Sequence, residues 1–194
     1  MDLLDRTGRK DYNHEVEMDS GKKPHILFSR QEIEVTVSKL AFEITRDYRD
    51  KYPLIIGILK GSFVFIADLI RLLDFPLEVE FVRLSSYGGG KESSGEIEVV
   101  HGLDATVEGR DVLVMEDIID TGLTTSFLIE QLHTQKPASL KLCALTEKPT
   151  RRQVAVKIDY LGFSVPDKFL VGYGLDFDEK FRNLPDICIL EEDK

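Results

Sequence analysis

The stretch Val112 to Thr125, VLVMEDIIDTGLTT, constrains this chain more than any other. A wholly apolar run passes through two acids and two further aliphatic residues into Asp-Thr-Gly-x-Thr-Thr, which opens a helix. Apolar residues without alternation suit a strand covered on both faces, as in a parallel sheet. A turn that leads into a helix start presents unsatisfied N–H groups and the positive end of the helix dipole, which together make a cradle for phosphate. Gly122 lets a ligand come close to the backbone, and the threonine hydroxyls add donors. Glu116 and Asp117 stand at the C-terminal end of the strand, where open α/β sheets bind ligands. A carboxylate pair there can accept from vicinal sugar hydroxyls or hold a cation. A capping aspartate with ordinary turn threonines would account for Asp-Thr-Gly alone, but not for the full order of residues.

The flanking pattern repeats the alternation of strand and helix. Ile33, Val37, Leu40, Ala41, Ile44 and Tyr48 fall at helical spacing and predict a helix over Gln31–Tyr52, ended by Pro53. LIIGIL (54–59) predicts a strand buried on both faces, Lys60-Gly61-Ser62 a turn, and Phe63–Leu73 a second helix. Leu77–Leu84 alternates and predicts a half-exposed strand. The polar segment SSYGGGKESSG (85–95) interrupts the sheet pattern, and a long Gly/Ser loop inside a compact fold is more often functional than a plain linker. Strand character returns over Glu96–Val100, Asp111–Glu116 and Ser139–Leu145, with a helix over Thr124–His133. Val154–Tyr160, Lys168–Tyr173 and Ile187–Leu190 are short strand candidates. These elements predict an α/β fold, a mostly parallel twisted sheet flanked by helices. Residues 1–25, with six acids and five bases before Pro24, read as a polar arm, mobile or peripheral, and 26–194 as one domain.

Composition narrows the function. Thirty-five acidic against 25 basic residues give a net charge of −10, which argues against a protein that grips nucleic acid or an anionic membrane face. The aliphatic run 54–59 falls far short of the roughly 20 residues of a membrane helix. The N-terminus lacks the basic-then-apolar secretory pattern, so a cytoplasmic location is expected. Cys143 and Cys188 lie in apolar runs and read as buried, reduced thiols. The histidines at 14, 25, 101 and 133 are scattered, and no spacing suits zinc.

The 112–125 stretch closely resembles the phosphoribosyl diphosphate motif of the type I phosphoribosyltransferases. Leu59-Lys60-Gly61 resembles the family's pyrophosphate loop, Ser86-Tyr87 the start of its mobile catalytic loop, and Lys148-Pro149 its purine-facing lysine segment. Pro166–Tyr173 and Asp176–Arg182 resemble its purine hood, built mainly from 160–194. The five pieces occur in the family's order, and the resemblance is closest to the branch that acts on hypoxanthine and guanine. It implies transfer of the phosphoribosyl group from 5-phosphoribosyl 1-diphosphate to a 6-oxopurine, giving IMP or GMP and pyrophosphate, with Mg2+ as cofactor and a homodimer or homotetramer as the assembly.

The same resemblance implies roles. Asp120, Thr121, Gly122, Leu123 and Thr124, on to Thr125, would hold the 5′-phosphate. Glu116 and Asp117 would hold the ribose hydroxyls and, with Asp176, the metal. Lys60, Gly61 and Arg182 would bind pyrophosphate, and the peptide before Lys60 can be cis. Asp120 would be the general base, a role that an N-cap aspartate could hold at the same time. Lys148 would donate to the purine O6, although KPTRR on its own reads as a solvated basic patch. Phe169 would stack on the base, Ile118 and Leu170 would line its pocket, and Lys168 would present backbone to the base edge beside Asp176. Ser86 and Tyr87 would start a lid that keeps water from the activated sugar. Leu123 departs from the basic residue common in that turn, and Ser85 from a lysine found in some relatives. Two other readings stand beside this one: an enzyme that also accepts xanthine, and a regulatory protein of the same fold that has lost catalysis.

Overall fold

The computed structural model describes residues 24–86 and 97–191. Its first element, β1 (Pro24–Phe28), takes in Pro24 and His25, which the polar composition places in the arm. Helix α1 (Arg30–Tyr48) starts where Ser29 and Glu32 form a reciprocal capping box: the Ser29 hydroxyl accepts from the Glu32 amide, and the Ser29 amide donates to Glu32 Oε2 at 2.8 Å. Its six buried residues are the six that helical spacing selects, and it ends at Tyr48, a turn short of the predicted boundary. Strand β2 (Leu54–Leu59), helix α2 (Phe63–Ile70) and strand β3 (Glu78–Ser86) follow.

Beyond residue 96 the chain forms β4 (Ile97–His101), β5 (Asp111–Ile119), α3 (Leu123–Thr134) and β6 (Ser139–Glu147). A short 3-10 turn (Pro149–Arg151) leads to β7 (Tyr160–Ser164), β8 (Leu170–Val171) and β9 (Ile187–Leu190). One sheet has the order β4-β3-β2-β5-β6-β7, parallel except for the antiparallel edge strand β4; the other is β1-β9-β8, antiparallel throughout.

Strand parity explains the large sheet. Ile55, Leu113, Met115, Cys143 and Leu145 join a core formed with α1 and α2, while Leu54, Ile56, Val112, Val114, Leu142 and Ala144 join a core formed with α3. Each apolar run therefore needs no polar alternation, because helices cover both faces. Strand β3 is half-exposed, as its alternation predicts: over residues 78–84 only Val82 is buried and Arg83 is exposed, while Phe81 packs toward α1 and α2.

Two further differences have visible causes. Residues 154–159 form no strand: the amides of Gln153 and Val154 both donate to Thr121 O, at 2.9 and 3.2 Å, so this segment braces the turn before α3. The strand lies one step later, as β7, which edges the large sheet although it falls inside the 160–194 stretch expected to build the hood. The hood sheet instead recruits β1, with Pro24 opposite Leu190.

Connectivity fixes where a ligand can bind. From β2 the chain crosses by way of α2 to β3 on one side; from β5 it crosses by way of α3 to β6 on the other. Adjacent strands whose connections diverge leave a crevice at their C-terminal ends. Lys60-Gly61 and Glu116 through Asp120 stand at that crevice.

Candidate active site

A cleft of about 280 Å³ opens there. From the β2 side it is lined by Lys60 and Gly61, from β5 by Asp117, Ile118 and Asp120, from the end of β6 by Lys148, and from the hood by Phe169, Leu170, Leu175, Asp176 and Arg182. Ten of these eleven are residues that the sequence singles out; Leu175 is the addition, an aliphatic residue whose signal does not differ from core. The peptide Leu59–Lys60 is cis. Tyr87 lies outside the described residues, as does all of 87–96, and Ser86 is the last residue of β3.

The two acids at the end of β5 point to opposite sides. Parity turns Glu116 toward α3, where Thr125 hydrogen-bonds to it, and Asp117 toward the cleft and the Arg182 charge. Both are buried. Burial, and after it the Asp117 charge alongside, raises the Glu116 carboxyl well above its ordinary range. Burial raises Asp117 to about 6, opposed by the neighbouring Glu116 carboxyl, by backbone amides and by Arg182. Gly61 lies directly on this carboxylate: a Cβ there would fall 1.9 Å from Asp117 Oδ2, so only glycine fits. Glu116 itself does not line the cleft.

The turn before α3 has the form expected of an anion cradle. Gly122 occupies the N-cap at φ 84°, a left-handed conformation that favours glycine, and no side chain caps the helix. Asp120 is therefore not the N-cap. Its carboxylate turns across the cleft, where Oδ1 accepts from Arg151 Nε at 2.7 Å and Oδ2 lies 3.9 Å from Lys148 Nζ. Arg151 also reaches Asp167 Oδ1 at 3.5 Å. Thr121, Leu123 and Thr124 adjoin the cleft without lining it; Thr121 Oγ1 accepts a long bond from the Leu123 amide at 3.4 Å, and the Leu123 side chain is exposed.

At the end of β6, the Lys148 ammonium is almost fully buried and aimed at Asp120, which removes the reading of a solvated patch for that lysine. Phe169 is half exposed at the cleft mouth, edge-on to Phe177 with centroids 5.5 Å apart. An exposed aromatic face beside a buried ammonium suits a flat, polar ring. Lys168 is exposed and does not line the cleft.

Across from them, Lys60 Nζ donates to Glu179 Oε1 at 2.8 Å, and Arg182 Nη2 pairs with Asp176 Oδ1 at 2.8 Å. Glu116, Asp117 and Asp176, grouped as metal ligands from the sequence, do not form a three-ligand cluster; among the described residues no such cluster occurs. The donors available are carboxylate oxygens, which suit a hard cation that keeps several ligands from water and substrate, as Mg2+ does. Arg151 and Glu179, the partners of Asp120 and Lys60, were not singled out. Both are charged residues in polar segments, and only the fold shows what they face.

Comparison with known proteins agrees with this geometry. The phosphoribosyl transferase domain model matches residues 26–178. The chain is 49% identical over 166 residues to a hypoxanthine-guanine phosphoribosyltransferase of Bacillus subtilis (strain 168), spanning 86% of this chain and 92% of that protein. It is 46% identical over 173 residues to the protein of the same name from Aquifex aeolicus (strain VF5), spanning 89% and 97%. The crystal structure of a hypoxanthine phosphoribosyltransferase from Staphylococcus aureus superposes with a TM-score of 0.82 at 41% identity, covering 86% of this chain and 91% of that one. The parallel sheet, the crevice at its switch point and these matches agree: the chain belongs to the phosphoribosyltransferase family.

Proposed function

We infer that the protein transfers the phosphoribosyl group of 5-phosphoribosyl 1-diphosphate to N9 of hypoxanthine or guanine, a purine salvage reaction, with Mg2+ as cofactor. The observation that carries this reading is one cleft bringing together Lys60 and Arg182, Asp117, and the buried Lys148 beside Asp120 and Phe169. A transition state with a leaving diphosphate and a cationic ribose needs cations at one end and carboxylates under the sugar. That is the distribution of charge along the cleft.

The 5′-phosphate would sit on the α3 start, from Asp120 to Thr125. Asp117 would accept from the ribose hydroxyls, with Glu116 holding it from behind. Asp117 and Asp176 are the carboxylates positioned to hold Mg2+, which supplies positive charge to the diphosphate when bound. Lys60 and Arg182 would take the pyrophosphate. Lys148 would donate to O6 of an oxopurine and meet only a donor in the amino group of adenine. Phe169 would stack on the ring against Ile118 and Leu170, and Asp120 would accept the purine proton as N9 attacks. The cytoplasmic setting and homo-oligomeric assembly belong to the same reading, and exposed Val35, Phe42 and Leu72 supply apolar surface for subunit contact.

The test is turnover. Purified protein with Mg2+ and phosphoribosyl diphosphate converts hypoxanthine and guanine to their monophosphates and leaves adenine unreacted, followed by chromatography of the products. Xanthine in the same assay ranks the oxopurines. Absence of turnover with every oxopurine would overturn the reading.

A further inference from the structure

Glu179 occupies a position that a glycine would fill more cheaply. Phe177 and Lys180 exchange backbone hydrogen bonds at 3.1 and 3.0 Å, and the two residues between them, Asp178 and Glu179, have φ of 52° and 60°. Two successive left-handed residues closing a hairpin favour Asn-Gly or Asp-Gly, because a Cβ is disfavoured there. A charged side chain kept at such a place is one that does something. Its carboxylate reaches back over the cleft: Oε1 accepts from Lys60 Nζ at 2.8 Å and Oε2 from Arg182 Nη2 at 3.4 Å. The Glu179 amide donates to Asp176 Oδ2 at 2.9 Å, which fixes the turn in this orientation.

One carboxylate thus bridges two cations that come from distant parts of the chain, and both are the cations assigned to pyrophosphate. We propose that Glu179 is an internal stand-in for the diphosphate, occupying Lys60 and Arg182 in the free enzyme and yielding them when phosphoribosyl diphosphate binds. The inference rests on the transferase reading of the site. A built-in competitor keeps two neighbouring cations from repelling each other in the empty site, and it returns as pyrophosphate leaves, which lowers affinity for that product. In each contact the Glu179 carboxylate is exposed, so the competition is modest. If Glu179 only pinned the hood to the body, its loss would loosen the site and weaken anion binding. The two roles differ in sign.

The experiment is calorimetric titration of Mg2+-pyrophosphate into wild type, Glu179→Gln, Glu179→Gly and Asp178→Asn, with steady-state kinetics on each. Glu179→Gly suits the left-handed backbone and so keeps the fold; Asp178→Asn removes the same net charge one residue away. Both Glu179 variants should bind pyrophosphate about 2- to 5-fold tighter, the scale of the lost ion pairs, with a lower KM for phosphoribosyl diphosphate. Asp178→Asn should bind as wild type. Unchanged or weaker binding in the Glu179 variants, or equal tightening in Asp178→Asn, overturns the proposal. A wild type that neither binds pyrophosphate nor turns over oxopurines fails the transferase reading itself.

Discussion

At the end of β5, two neighbouring carboxyls are buried, and burial raises both above their ordinary range. The pKa of Asp117, raised to about 6 by burial, means that this carboxyl favours folding below its ordinary value near 3.8 and loses that contribution as pH rises through about 6. At neutral pH the buried charge therefore opposes folding. Asp117→Asn is expected to raise the stability of the metal-free protein by about 1–2 kcal/mol at pH 8, with the difference from wild type vanishing below pH 4. Thermal melts at the two pH values in chelator-treated buffer check this, and the same variant should bind phosphoribosyl diphosphate more weakly. Asp120 carries a different burden, since in the proposed reaction it would take a proton while facing Arg151 and Lys148. Asp120→Asn keeps the shape and removes the basicity, so kcat should fall by about 10- to 1000-fold while phosphoribosyl diphosphate still binds. An unchanged kcat would take Asp120 out of the base role.

Among elements, one polar cluster ties α1 to β6 and β7 beside their shared apolar core. Asp47 Oδ2 accepts from Lys141 Nζ at 2.7 Å and from Tyr160 OH at 2.6 Å, and Lys141 also donates to Tyr160 at 2.9 Å. These bonds, Lys141 first, hold the Asp47 carboxyl well below the usual carboxylate range. A depressed acid stabilises the fold above its unfolded value and loses that contribution as pH falls through its folded one. Asp47→Asn should therefore cost about 1–3 kcal/mol at pH 7, and the wild-type advantage should shrink on titration below pH 4, measured by urea unfolding. Periodicity alone shows that Asp47 lies off the buried face of α1, but not that it meets two residues more than 90 positions away. The same limit explains the misplaced strand near residue 154. Local apolarity marks a strand candidate, whereas the amides of Gln153 and Val154 are committed to Thr121 O.

At the scale of the molecule, the net charge of −10 sits beside a site that must accept a polyanion. Lys60, Lys148 and Arg182 face the cleft among Asp117, Asp120 and Asp176, and Arg151 pairs with Asp120 at its edge, so the site is locally balanced while the surface is acidic. In the proposed reaction, attraction for phosphoribosyl diphosphate would then depend on the helix start, on these cations and on a divalent metal. Phosphoribosyl diphosphate with Mg2+ at about 100 times its Kd should stabilise the protein by about 2.7 kcal/mol. EDTA should remove both that shift in Tm and the turnover. Full activity in EDTA would contradict the proposed metal role of Asp117 and Asp176.

Much of this molecule follows from local chemistry. Val112–Thr125 determined the buried strand, the acidic pair and the glycine-opened helix, because hydrophobic continuity, φ freedom and unsatisfied amides are properties of neighbouring residues. The apolar spacing of 31–48 determined the buried face of α1 for the same reason. Only the tertiary structure decided which charges meet. The pairing of Asp120 with Arg151 and of Lys60 with Glu179, the recruitment of β1 into the hood and the packing of Gly61 on Asp117 all join segments distant in sequence. Side-chain type says that a charge needs a partner; the crossing of β2 and β5 to opposite sides of the sheet decides where that partner stands.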